Sequence, residues 1–225
     1  MEKKMEKKME KKTIGKIEKP TVEEFKKGKR KLYLVSLVYP GRDLKKESQK
    51  EYRKKIDRYW EEVKNRIQDL EQKLGRINRI YHEMVHRGGK EGAEALKELS
   101  QETYPLVQSS LEKGSVLEAT EDEEPLRQTI DWARCLATGP KSGQVLAKLT
   151  EFYVQSMKKR DEYVGDKINE SLKRDEVGVL FVREGSNVNF ASDIEIFRIS
   201  PPVLDDIHRF LEDLYAPIPK DKKKG

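Results

Sequence analysis

Cysteine is almost absent: Cys135 stands alone in 225 residues. That excludes an internal disulfide and any zinc cluster built on cysteine. No uninterrupted apolar run approaches the roughly 18 residues that a membrane-spanning helix needs. Met1 opens a charged run rather than an apolar core, so no secretory signal is expected and a cytoplasmic location is the default. The chain also lacks G-x-G-x-x-G, a P-loop and G-x-S-x-G. Nucleotide binding and serine-hydrolase chemistry therefore have no motif to support them.

Apolar residues make up 35% of the chain and charged residues 39%. The apolar residues are clustered and periodic, so a packed core is still expected. The net charge of +6 is unevenly spread. Residues 1–31 hold 13 Lys/Arg and six Glu, residues 220–225 hold four Lys and one Asp, and residues 32–219 are left at −4. The basic character thus belongs to the ends, and the body has no surplus of Lys/Arg to track a phosphate backbone. No specific nucleic acid is expected as a partner.

The "MEKKMEKKMEKK" repeat offers helical i,i+4 pairs but little apolar surface to dock. We read 1–31 as a basic, coil-prone arm and linker, 32–215 as one domain and 216–225 as a basic flexible tail. "KLYLVSLVYPG" is the first strand, apolar on both faces and hence central in a covered sheet. A long amphipathic helix follows, with Tyr52, Ile56, Tyr59, Trp60, Val63, Ile67, Leu70 and Leu74 at helical spacing, and Gly75 ends it. Two short helices are expected over 90–113. Thr120 and Glu123 form a T-x-x-E box ahead of the helix "PLRQTIDWARCLA". A second long helix covers about 143–173, with a core stripe of Val145, Leu149, Phe152, Tyr153, Ser156, Met157, Arg160, Val164, Ile168 and Leu172. Trp60 and Trp132 are expected in the core. "VGVLFV" and "IEIFRI" are further strands, and Ser200 caps the last helix with prolines in its first turn. The expected fold is α/β: a sheet of about four strands, long amphipathic helices and a helix-rich insertion between strands 2 and 3.

"YHEMVHRGG" matches H-E-x-x-H, the zinc-protease signature, at His82, Glu83 and His86. That motif needs a helix, where residues four apart share a face and both imidazoles reach one ion. On a strand four residues span about 13 Å, too far for a shared metal. Ile77, Ile80, Tyr81, Met84 and Val85 suit a helix stripe, but the context favours a strand. A long helix has just ended at Leu74-Gly75, a β-branched and aromatic run follows, and Gly88-Gly89 closes it. The expectation is an edge or strand-end His pair, partly exposed, with no metal ligands and no cofactor.

Two other stretches carry chemistry. "VLEATEDEEPL" gathers Glu118, Glu121, Asp122, Glu123 and Glu124, which suits a helix N-terminus or a carboxylate cluster at a cleft. "VREGSN" follows a buried strand, and ligands of open α/β sheets collect at strand carboxyl ends. Arg183, Glu184 and Ser186 are accordingly candidate binding residues.

Four segments in order, "KLYLVSLVYPG", "VLEATEDEEPL", "KKRDEYVGDKINESL" and "VGVLFVREGSN", resemble the TraB/EreA-like superfamily. The resemblance implies metal-dependent hydrolases in some members and roles in shutting down signalling peptides in others. It places one active-site His after the first strand and another in the late turn. This chain has Tyr39-Pro40 and Ser186 there, while Glu83, Glu118 and Arg160 match acidic and basic positions. The resemblance therefore implies a relative with a degraded site. The first expectation is a non-catalytic protein that binds a peptide, a small ligand or another protein. A metal-dependent hydrolase of peptide or ester bonds is the alternative, and a nucleic-acid or membrane-surface accessory protein working through its basic ends is the second.

Overall fold

The computed structural model describes residues 28–39 and 44–216. The expected basic arm up to residue 27, the Pro40-Gly41 strand end and the tail from residue 217 lie outside them. The chain is an α/β protein. Five parallel strands, β1 (Arg30–Leu37), β2 (Arg79–His82), β3 (Val116–Leu117), β4 (Val177–Arg183) and β5 (Ile194–Ile199), form one sheet in the order β3-β2-β4-β1-β5. Six helices are described: α1 (Lys46–Leu74), α2 (Gly89–Leu99), α3 (Tyr104–Glu112), α4 (Glu123–Ala137), α5 (Gly143–Ser171) and α6 (Val203–Tyr215).

The alternation of each strand divides the core in two. Tyr33, Val35 and Leu37 of β1 and Val177, Val179 and Phe181 of β4 face one side, where Ile56, Tyr59 and Val63 of α1 and Leu204 and Ile207 of α6 cover them. Leu32 of β1 and Leu180 and Val182 of β4 face the other, under Val164, Ile168 and Leu172. Both faces being covered explains why β1 and β4 read as continuous apolar runs. β1 is central, as its sequence predicts, paired with β4 and β5. The link from β4 to β5 contains no helix. Its residues Val188, Phe190 and Ala191 lie over the second core instead.

Several local expectations are corrected. β2 is only four residues long and ends at His82. β3, two residues inside the acidic stretch, adds a fifth strand and turns β2 into an interior one. Thr120 is not a helix cap. Asp122 takes that place, accepting from the Glu124 amide, while the buried Thr120 hydroxyl accepts from the His82 amide. Ser200 does not cap the last helix, which begins at Val203 behind Pro202. The N-terminal half of α5 pairs with α4 in a hairpin outside the two core clusters, and the expected core residues Val145 and Phe152 are 49% and 40% exposed. Trp132 stacks on Phe152 there, with ring centroids 5.0 Å apart, and is half-buried.

The helix-free link is fixed against α5 at Gly165. A Cβ at this position would stand 2.7 Å from the Asn189 carbonyl oxygen. Alanine is otherwise the better helix former by about 1 kcal/mol. Backbone cannot yield as a flexible side chain does, so overpacking wins. Gly165→Ala is expected to lower stability by about 1–2 kcal/mol in urea unfolding, and an unchanged or raised midpoint would contradict this packing.

Candidate functional site

The carboxyl edge of the parallel sheet gathers charged residues from four segments. Glu83 follows β2 directly, Glu121 follows β3, Arg160 and Asp161 lie mid-way along α5, and Arg183 ends β4. Arg160 is the hub. Its Nε and Nη2 grip the two Glu121 oxygens at 3.0 and 2.6 Å, and Nη2 also reaches Glu83 Oε1 at 3.0 Å. The side chains of Arg160, Glu83 and Glu121 are 4%, 4% and 0% exposed. Burial alone would lower the Arg160 guanidinium, but the hydrogen bonds and charges of Glu121 and Glu83 outweigh it and hold it above its ordinary value.

Arg183 extends the network. Its amide donates to Glu83 Oε2 at 2.5 Å and its Nη1 to Glu83 Oε1 at 3.1 Å. Its Nη2 donates to Asp161 Oδ1 at 2.5 Å, and the Asn187 amide takes Asp161 Oδ2 at 2.9 Å. The Met84 amide closes the last side, 3.3 Å from Glu121 Oε1. Each of the three carboxylates thus accepts from an arginine and from a backbone amide. Among the described residues, no group of three His, Cys, Asp or Glu is placed to hold a metal ion.

The chain turns sharply to aim Glu83 inward. Met84 adopts a positive φ of 74°, a conformation that costs a non-glycine residue about 1–2 kcal/mol. The turn separates the two histidines of H-E-x-x-H. His82 sits at the strand end and is 3% exposed, buried rather than partly exposed as its position in sequence suggests. Its Nδ1 lies 2.5 Å from the Glu83 carbonyl oxygen and its Nε2 3.0 Å from the Thr103 hydroxyl. Nδ1–H donating and Nε2 accepting satisfies both contacts with a neutral ring. His86 is half-buried and lies 3.7 Å from Glu123. The strand conformation of His82 removes the shared face that a zinc helix requires.

The remaining sequence candidates are dispersed. Glu118 belongs to a separate pair with Arg79, whose other partner is Glu176 at 3.0 Å. Glu184 pairs with His208 at 2.8 Å on the surface, and Ser186 is half-buried in the turn after β4. Tyr39 lies two residues beyond β1 at the same sheet edge, 55% exposed. Its phenol is raised above the ordinary value by partial desolvation and by Glu83, with Arg160 and Arg183 opposing. Two clefts flank the network. One of 390 Å³ is lined by Tyr39, His82, Met84, Ser100 and Glu102 among others, and one of 550 Å³ by Tyr153, Met157, Lys158, Arg183 and Asn187 among others. Asp161 and Glu121 are the members that sequence reasoning did not select as site residues. Glu121 is one of five neighbouring acids, but the charge of Arg160 within an otherwise uncharged stripe is a signal that a buried carboxylate must face it.

Burial pushes the His82 imidazole down to about 4, with the Glu83 carbonyl and carboxylate opposing. In the unfolded chain the ring takes its proton near pH 6.5. The unfolded state therefore binds more protons between these values, and stability falls as pH falls through that window, by about 3 kcal/mol in total. Unfolding free energies measured between pH 7.5 and 5 should decline with a slope near 1.4 kcal/mol per unit below pH 6.5. His82→Gln should remove this component of the slope. Arg160→Met strands two buried carboxylates and is expected to cost about 3–5 kcal/mol, whereas Glu121→Leu/Arg160→Met should recover part of the loss. Additive losses in denaturant unfolding would contradict the coupling. No family model, curated protein or solved structure matches this chain.

Proposed function

We propose that the chain is a non-catalytic binding or regulatory protein, a degraded-site relative of TraB/EreA-like proteins that takes its ligand at the carboxyl edge of the sheet. The observation that carries this reading is the saturation of the buried carboxylates. A general acid or base must exchange a proton with a substrate within about 3 Å. Glu83 spends its oxygens on Arg160, Arg183 and the Arg183 amide, and Glu121 on Arg160 and the Met84 amide. Glu118, the other acidic candidate, faces Arg79. The clefts also present groups that can recognise a ligand, Tyr39, Ser100, Lys158 and Asn187 beside Met84 and Met157, together with the ionisable side chains of His82, Glu102 and Glu162. Clefts at strand carboxyl ends are where open parallel sheets hold ligands.

The competing reading is a metal-dependent hydrolase. It is tested by incubating tag-free protein, with and without added Zn²⁺ or Mn²⁺, with p-nitrophenyl acetate and with a mixed peptide pool. Elemental mass spectrometry on the same sample measures its metal content. The expected outcome is no turnover that Glu83→Gln or Glu118→Gln abolishes. Metal-dependent hydrolysis lost in either variant would overturn the non-catalytic reading.

A further inference from the structure

On the first core face α1 packs closely against α6, and no such packing joins it to α3. The gap between α1 and α3 is a cavity of 110 Å³. Ile77, Ile80, Val179 and Phe181 line it from the sheet, Ile67 from α1 and Val107 from α3. All six are buried. Protein interiors leave few voids larger than a water molecule. A water held in one needs polar partners, and these six side chains offer none. The lining therefore suits a molecule with an apolar body. An apolar cavity of about 150 Å³ takes up benzene. By the same measure 110 Å³ suits a body of about four carbons.

The rim of the cavity is polar on both helices. Lys64, Gln68 and Glu71 recur at i, i+4 and i+7 along one flank of α1. Ser109 and Lys113 come from α3 and its C-terminal end. Glu71 is committed: one oxygen accepts from the Ile77 amide at 3.1 Å and the other from Lys113 at 3.3 Å. Lys64 is exposed and has no hydrogen-bond or ion-pair partner among the described residues. The uncommitted charge at the rim is thus positive. A cationic head would have to displace Lys113 from Glu71 and lie beside Lys64, whereas an anionic head meets Lys64 without breaking a pair.

We propose that this cavity is a binding site for a small branched aliphatic carboxylate. Its body lies among Ile67, Ile80, Val107 and Phe181, and its carboxylate is held at the rim by Lys64, with Lys113 beside it. Filling the cavity restores the dispersion contacts that its lining lacks. The site shares no lining residue with the two clefts at the sheet edge, so it stands apart from the binding role proposed there.

The test titrates the full chain with isovalerate, whose isobutyl group has the expected size, and with the neutral isoamyl alcohol. Calorimetry gives affinity, and methyl NMR reports which Ile and Val side chains the ligand touches. The expected result is saturable binding of isovalerate, with the largest shifts at Ile67, Ile77, Ile80, Val107 and Val179. Val107→Phe, which places a ring in the cavity, should abolish binding. Lys64→Glu alters only an exposed side chain. It should weaken isovalerate about fivefold and leave the alcohol unchanged. No saturable binding of isovalerate, or methyl shifts centred elsewhere, overturns the proposal. So does binding retained by a folded Val107→Phe protein. Acid and alcohol responding alike to Lys64→Glu would overturn the carboxylate assignment. Should Val107→Phe fail to fold, the methyl shifts and Lys64→Glu decide between these outcomes without it.

Discussion

Arg160 has to be paired, and much of the sheet edge is arranged around that requirement. A guanidinium 3% exposed loses its hydration and regains it only from groups the fold brings to it. Glu83 comes from the turn after β2, Glu121 from the segment after β3, and both meet one α5 side chain. Arg183 then ties β4 to the same Glu83 and, through Asp161, back to α5. Parallel strands have no hairpins to fix their ends relative to one another. Here a charge network serves at the carboxyl edge, and the Met84 backbone accepts an unfavourable φ so that Glu83 can join it. Such a network contributes less to net stability than an apolar plug of the same volume would, because desolvation offsets the attraction. What it supplies is register: a shift of any one segment strands a buried charge.

The long elements were legible because their patterns are redundant. Eight apolar positions at helical spacing announce α1, and apolar runs on both faces announce β1 and β4. The short elements were not. β3 consists of Val116, which is exposed, and Leu117, which is buried, and two residues contain no period. The acidic stretch after it misled for a physical reason. Thr120 and Glu123 have the spacing of a capping box, but the Thr120 hydroxyl is taken by the His82 amide of the neighbouring strand. A tertiary hydrogen bond displaced the local one, and Asp122 capped the helix instead.

The stripe of α5 was legible as a stripe but not as to what covers it. From Val164 to Leu172 it faces the sheet, while Ser156 and Phe152 meet α4 and Val145 is left exposed. Periodicity reports which residues share a face, and it is silent on where the neighbouring layer stops. Arg160 was the informative exception within the stripe. Chosen for its match to the TraB/EreA-like pattern, it also stands where an apolar residue belongs, which by itself demands a buried acid. Glu83 met that demand and so did Glu121, but Glu118, one β-alternation away from the edge, turned to Arg79.

His82 shows how backbone state decides what a motif means. The same five letters on a helix present two imidazoles to one side; at the end of β2 they give a buried neutral ring and a half-buried surface ring. The Glu between them, which a zinc helix would use as a base, is instead the carboxylate that joins Arg160 to Arg183. The network engages the carboxylates of Glu83, Glu121 and Asp161 at this edge. In doing so it ties four segments together at the edge, with two clefts beside it. A site preorganised in this way would lose little entropy on taking up a ligand, which is the physical basis of the binding role proposed above.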